Sequence, residues 1–350
     1  MTRLDMKYTT LPNTDIKVSK ICLGTMTWGN QNSQKEGFAQ MDLALDKGVN
    51  FFDCAELYPV PAEAKTYAET ERIIGNWFSR TGNRDKVVMA SKIAGPGDYT
   101  AHIRTNGFSK DALQEAVNNS LMRLQTDYID LYQLHWPERN TNTFDTRDYK
   151  HDPNEEWEDN FSEILHTLNE IIKSGKVRQV GISNESAWGT MRYLQESKIK
   201  DLPKMVTIQN AYSLLCRGFE GDLAEVAHRE NIGLLAYSPM AFGVLSGKYL
   251  NGNAADNARL KLFPRFKRYS NDPCTEATKR YLKIAEDNNM SLAQMALAFV
   301  NQRPFLTSNI IGATNLEQLE ENINSIDINL SDDVMKAINA VHADIPNPAT

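Results

Sequence analysis

The chain has 350 residues, enough for one large domain or two small ones and for a sizeable core. Its apolar (41%) and charged (24%) fractions are those of an ordinary globular protein, and a net charge of −7 with a pI near 5.5 argues against broad binding to nucleic acid or anionic membrane. The longest apolar runs are strand-sized, far short of the ~20 residues of a membrane helix, and the start, MTRLDMKYTTLP, lacks the apolar stretch and cleavage site of an export signal.

From the N-terminus, MKYTTLPNTDIKVSK alternates and breaks at Pro12-Asn13-Thr14-Asp15, the pattern of a β-hairpin that would plug the bottom of a barrel. Strand-like apolar runs then occupy 21–25, 50–55, 87–93, 128–135, 177–183, 205–213, 232–238 and 308–314. Helical periodicity separates them near 34–48, 67–80, 109–124, 160–174, 186–197, 219–230, 276–302 and 316–325, with a last helix near 332–341. Ser109 and Ser331 stand as helix starts, and Gly175 closes a helix. Eight such units predict an α/β fold, a (β/α)8 TIM barrel, as a single domain over 1–350. An open doubly wound sheet would want G-x-G-x-x-G after its first strand, whereas the chain reads Gly24-Thr25-Met26-Thr27-Trp28-Gly29.

Three connections, 94–108, 136–160 and 239–271, are long and all come after strands, which puts them on the C-terminal face. The second is read either as a surface loop or as a lid over a substrate. Cys22, Cys54, Cys216 and Cys274 show no CxxC spacing, so disulfides and a zinc site are not expected, and a reduced, cytoplasmic, metal-free protein is.

Four polar residues end or come just after successive apolar runs: Asp53 and Tyr58 in NFFDCAELY, Lys92 in KVVMASK and His135 in YIDLYQLH. Barrel strand ends converge on one mouth, so an acid, a phenol, an amine and an imidazole would meet there. A cation such as Lys92 would lower the phenol pKa, Asp53 would hold that cation, and His135 would polarise a carbonyl oxygen. The set suits carbonyl reduction, with Tyr58 as proton donor. Singly, each has a structural alternative, an ion pair for Asp53–Lys92 and a packed ring for His135 or Tyr58. Trp28 and Trp136 come after strand ends and are expected to wall an apolar substrate pocket with Tyr58, joined by Phe242 and Met240; Trp188 is expected to pack its helix on the barrel. Arg139 stands close enough to be weighed for an acidic substrate.

The combination FFDCAELY, ASK and DLYQLHWP, with ICLGTMTWG, GKVRQVGISN, TIQNAYSLL, LLAYSPMAFGVLSGKYL and IIGATNLEQLEENI, resembles the aldo-keto reductase superfamily over nearly the whole chain. It is most similar to the bacterial NADP(H)-dependent branch, itself similar to the β subunits of voltage-gated potassium channels. The resemblance implies Tyr58 as general acid/base, tuned by Lys92 and Asp53, with His135 orienting the carbonyl. It implies NADP(H) held at its nicotinamide by Ser183, Asn184 and Gln209, with Tyr237 stacked on the ring and Thr25, Met26 and Asp53 on the ribose side. Ser238, Pro239, Met240, Gly243 and Lys248 would line the pyrophosphate, and Gly312, Thr314, Gln318, Glu321 and Asn322 the adenosine end. Many relatives carry a Lys or Arg around 312–318 for the 2′-phosphate of NADP. Here those positions are neutral, and Arg265, Lys267 and Arg268 are the substitutes, with Arg268 counted in the cofactor site; solvated surface charge is their alternative. The implied activity is NADPH-dependent reduction of a small-molecule aldehyde or ketone by a monomer or homo-oligomer; the alternative is a slow, NADP-binding redox-sensing or regulatory subunit.

Overall fold

The structure, a computed structural model, describes residues 6–144, 146–250, 252 and 254–349; the outermost residues of the expected 1–350 domain, and single positions in the 136–160 and 239–271 connections, lie outside it. Strands β1 (Tyr8–Thr10) and β2 (Lys17–Ser19) pair antiparallel as the expected hairpin. Eight parallel strands come next: β3 (Ile21–Gly24), β4 (Phe51–Asp53), β5 (Val88–Ile93), β6 (Ile129–Leu134), β7 (Val177–Ser183), β8 (Met205–Ala211), β9 (Gly233–Tyr237) and β10 (Leu306–Ile311). Each pairs with the next and β10 returns to β3, closing the barrel. The fold is the (β/α)8 TIM barrel that the alternating runs predict.

The helices are α1 (Gln34–Asp46), α2 (Glu69–Thr81), α3 (Lys110–Leu124), α4 (Phe161–Lys173), α5 (Ala187–Lys200), α6 (Leu223–Arg229), α7 (Arg259–Leu262), α8 (Asp272–Asp287), α9 (Leu292–Asn301), α10 (Leu316–Asn324) and α11 (Asp332–Asp344). Ser109 accepts from Ala112 N and Ser331 from Val334 N, so both expected helix starts are N-caps. The single helix expected over 276–302 is two. Asn289 turns left-handed at φ +55°, and Ser291 opens α9 with a capping box to Gln294. Both helices bury an apolar face, so periodicity reads straight through the break. The helix expected from 219 starts only at Leu223, after a 3-10 turn at Gly218–Glu220.

The core has two layers. The larger lies between strands and helices. The smaller fills the barrel: Leu11, Ile16 and Val18 of the hairpin pack against Cys22, Phe51, Ala90, Leu131, Val206, Leu235 and Ile310. The hairpin therefore closes the N-terminal end with apolar side chains. Alternation along each strand then carries the next inward residues, Asp53, Lys92 and Gln133, toward the C-terminal mouth.

Candidate active site

Lys92 is fully buried, and its ammonium has three acceptors: Asp53 Oδ2 at 2.7 Å, the Cys54 carbonyl at 2.6 Å and the Tyr58 oxygen at 3.5 Å. The other oxygen of Asp53 accepts from Gln209 Nε2 at 2.8 Å and Gln133 Nε2 at 3.3 Å. Four strands thus contribute to one polar layer above the apolar plug. Gln133 was not anticipated from sequence. It sits two residues after Leu131, which the structure turns inward on the same strand.

Tyr58 lies beyond β4 on a turn held by Tyr58 N to the Ala55 carbonyl at 3.0 Å. Its ring meets His135 edge-on, with centroids 5.7 Å apart. Burial pushes the Tyr58 phenol up to about 12, and the opposing pull of Lys92 does not overcome it. Against the lowered phenol pKa expected from sequence, Tyr58 buried in this site stays protonated at neutral pH. Lys92 is raised, because Asp53 and Tyr58 outweigh the desolvation that works against its charge. His135 is held well below the usual imidazole value by burial, then by Lys92, so it is neutral, and its buried Nδ1 has no hydrogen-bond partner.

Residues expected around a nicotinamide cluster beside this set. Asn184, left-handed at φ +52°, donates to the His135 carbonyl at 2.9 Å and accepts from the Tyr237 hydroxyl at 2.6 Å. Ser183 Oγ donates to the Gln209 carbonyl at 2.7 Å, and Thr25 Oγ1 to that of Asp53 at 2.8 Å, with Met26 half-buried beyond. After β9, Ser238, Pro239 and Met240 lead into a tight turn in which Gly243 has φ +87°. That left-handed φ is what favours glycine; a Cβ there would stand 2.9 Å from the movable end of Lys248.

Sequence reasoning missed Arg259. Burial lowers the pKa of both Arg259 and Lys248, Arg259 to about 10 against the opposing pull of Tyr249 and Tyr58, and the Arg259 charge lowers Lys248 further. Neither makes an ion pair among the described residues. Arg259 donates to Gln31 at 3.3 Å and lies over the Phe242 ring, beside the turn that carries Gly243 and Lys248. At the end of β10, Gln318 accepts from both Thr314 N and Oγ1 at 3.1 Å, and Asn322 Nδ2 donates to the exposed Gly312 carbonyl at 3.1 Å. Glu321 accepts from Ser291 at 2.8 Å, tying α10 to α9.

Several expectations are corrected. Trp28 does not wall a pocket. It is wholly buried beneath α1, its indole N–H donating to Gln40 at 3.1 Å and its ring 3.2 Å from where a Cβ on Gly37 would lie. Trp188 does not pack its helix onto the barrel; it is 53% exposed, against Trp157, Phe161 and the Arg139 guanidinium. Arg139 is paired with Glu185, so its charge is spent within the protein. Arg268 turns inward to Tyr237 (3.3 Å) and the Cys216 sulfur (3.9 Å), away from the exposed Arg265 and Lys267 with which it was grouped. The Trp136 ring lies 5.0 Å from that of His135 and 5.7 Å from Phe144 of the 136–160 connection. That connection is also tied to the C-terminal segment, Arg147 donating to the Asn347 carbonyl at 2.9 Å.

Among the described residues, no helix is long and apolar enough to cross a membrane, and no group of three or more acidic, His or Cys side chains could hold a metal. The four cysteines are free and buried.

A closed parallel barrel with Asp53, Lys92 and His135 buried together at its C-terminal mouth has the form of a barrel enzyme. The sequence profile of the aldo/keto reductase family matches residues 20–343, and the chain belongs to that family of oxidoreductases. It is 45% identical to the protein tas of Escherichia coli (strain K12), over 98% of this chain and 100% of that one. It is 34% identical to the uncharacterized oxidoreductase YrpG of Bacillus subtilis, over 96% of both chains. It is 30% identical to a probable voltage-gated potassium channel subunit beta of rice, again over 96% of both.

Proposed function

We propose that the protein is an NADPH-dependent carbonyl reductase in which Tyr58 protonates the substrate oxygen. The observation that carries this is the direction of one hydrogen bond. Lys92 donates to the Tyr58 oxygen at 3.5 Å, which leaves the phenolic hydrogen to be given to a substrate. Asp53 keeps Lys92 charged, and Lys92 stabilises the phenolate that forms as the proton leaves. Neutral His135 donates to the same substrate oxygen and fixes the carbonyl against Tyr58. Trp136 supplies an apolar wall.

The reduced nicotinamide supplies the hydride. Ser183, Asn184 and Gln209 would hold its carboxamide, and Tyr237 would offer a ring face. Ser238, Pro239, Met240 and Gly243 line the pyrophosphate with Lys248, to which Arg259 is added. Gly312, Thr314, Gln318, Glu321 and Asn322 bound the adenosine end. Two half-buried cations without an ion-pair partner among the described residues, Arg259 close enough to be felt at Lys248, support the fit of a phosphorylated cofactor. Lys248→Ala and Arg259→Ala are each expected to weaken NADPH binding by about tenfold at low salt and less at high salt. Fluorescence titration of each variant, with NADH in parallel, checks this, and equal affinity for NADH and NADPH would sink the NADPH preference.

The second reading, a slow NADP-binding regulatory subunit, draws on the likeness to the rice channel subunit. Steady-state NADPH consumption against a panel of aldehydes and ketones separates the two. Turnover no faster than cofactor exchange with every carbonyl would favour the regulatory role.

A further inference from the structure

We propose that Glu56, clamped by Arg104, is a positioning residue that sets the Tyr58 phenol against Lys92 and so governs the rate of reduction rather than cofactor binding. The inference rests on the carbonyl-reductase reading and extends it outside the barrel.

Strand β5 runs between two buried charge clusters. Inside is Asp53–Lys92. Outside are Glu56 and Glu71, both fully buried, with Arg104 and Arg123. Ser91, adjacent to Lys92 but pointing the other way, donates to Glu71 Oε1 at 2.6 Å. Arg123 Nε donates to Glu71 Oε2 at 2.6 Å, and its Nη2 lies 3.9 Å from Glu56. This proximity depends on Gly75: a Cβ there would sit 2.1 Å from the Arg123 carbonyl, so α2 and the end of α3 meet at backbone contact.

Glu56 is the member that reaches the site. The Arg104 guanidinium forks onto both of its oxygens, Ala94 N donates to Oε1 at 2.6 Å and the Tyr67 hydroxyl to Oε2 at 3.3 Å. Its own backbone N–H donates to the Lys92 carbonyl at 3.1 Å. Two residues on, the carbonyl of Tyr58 accepts a long 3.5 Å bond from Thr70 N. The backbone ties the turn to β5 itself, and the Glu56 side chain adds the tie to the connection after β5, through Ala94 N and Arg104. Apolar packing would fill the same volume without desolvating two ions. What the bidentate pair adds is direction. Direction matters here because the Tyr58–Lys92 contact lies at the limit of a hydrogen bond, and a small shift of the turn breaks it.

The test uses Glu56→Gln, which keeps an acceptor for Ala94 N but loses the charge, and Arg104→Lys, which keeps the charge but loses the fork. The full-length protein is loaded with NADPH and mixed with para-nitrobenzaldehyde in single turnover. The rate of NADPH oxidation in Glu56→Gln is expected to fall by about tenfold or more. Arg104→Lys is expected to fall in between, with the NADPH Kd and aldehyde KM of both within about twofold of the parent. An unchanged rate in a folded Glu56→Gln overturns the proposal, as does a loss shared equally by rate and affinity. Should Glu56→Gln not fold, Arg104→Lys decides in the same way. A parent protein that binds NADPH yet oxidises it with no carbonyl overturns the reductase reading itself and this proposal with it, an outcome distinct from a parent and a variant that reduce equally well.

Discussion

Tyr58→Phe is expected to lower the rate of carbonyl reduction by about 10³-fold while leaving the NADPH Kd within about threefold. The substitution deletes one oxygen. The ring stays edge-on to His135 and over the Lys92 ammonium, 4.9 Å from its centroid, so packing at the mouth is preserved. The residues assigned to the cofactor on and after β7, β8, β9 and β10 are ordered by hydrogen bonds that include ones to one another, to Asp53 and to the His135 backbone carbonyl, which the substitution leaves in place. Loss of rate with binding intact would therefore isolate proton donation. The pH profile sharpens the test. A phenol raised to about 12 stays protonated throughout the neutral and mildly alkaline range. The reductive rate should then show no falling limb from Tyr58 until pH approaches that value. His135, lowered well below its ordinary value, is already neutral at pH 7 and adds no limb there. Stopped-flow rates across this range read both points. Retained reduction in Tyr58→Phe, or a parent limb near neutrality that the substitution leaves in place, would give the proton to another group.

How far such a site can be read from the chain depends on what fixes each side chain. The eight strands were legible because a strand buried on both faces must be nearly all apolar, and Asp53, Lys92 and His135 stand out at the ends of such runs. Tyr58 was legible only by its nearness to Asp53. Gln133 was hidden by chemistry: an amide in an apolar strand reads as a tolerated polar residue until its inward register is known. Arg259 was hidden by the lack of any period in the 239–271 connection, where long-range packing alone decides which of Arg259, Arg265, Lys267 and Arg268 turns toward Lys248. Trp28 misled because its place after a strand end is a property of sequence, whereas the direction of its ring is set by α1 packing over it. The sign of the Tyr58 shift is the same kind of case. Burial and a neighbouring cation oppose each other, and only the completed packing determines that burial wins.

The largest expected effect on both stability and chemistry belongs to Lys92→Met. The substitution keeps the volume of a fully buried side chain and deletes its charge. Asp53 Oδ2, the Cys54 carbonyl and the Tyr58 oxygen lose their donor, while Gln133 and Gln209 remain on the other Asp53 oxygen. An uncompensated carboxylate in the barrel interior is the dominant cost, and removing one partner of such a pair costs about 3–5 kcal/mol. In the parent, the Lys92 pKa is raised on folding, so its contribution is fully present below the unfolded lysine value of about 10.4 and is lost only as pH rises through the folded value. At pH 7 the loss should therefore be felt in full. Asp53→Asn in the same chain removes the stranded charge, and the double variant should regain about 2 kcal/mol or more relative to additivity. Denaturant unfolding of the parent, both single variants and the double variant measures that coupling directly. Reduction should not return with stability, because the double variant still lacks the cation that stabilises a Tyr58 phenolate. Additivity within about 0.5 kcal/mol would mean that the two groups do not depend on each other, and the pair would lose its place as the electrostatic centre of the site.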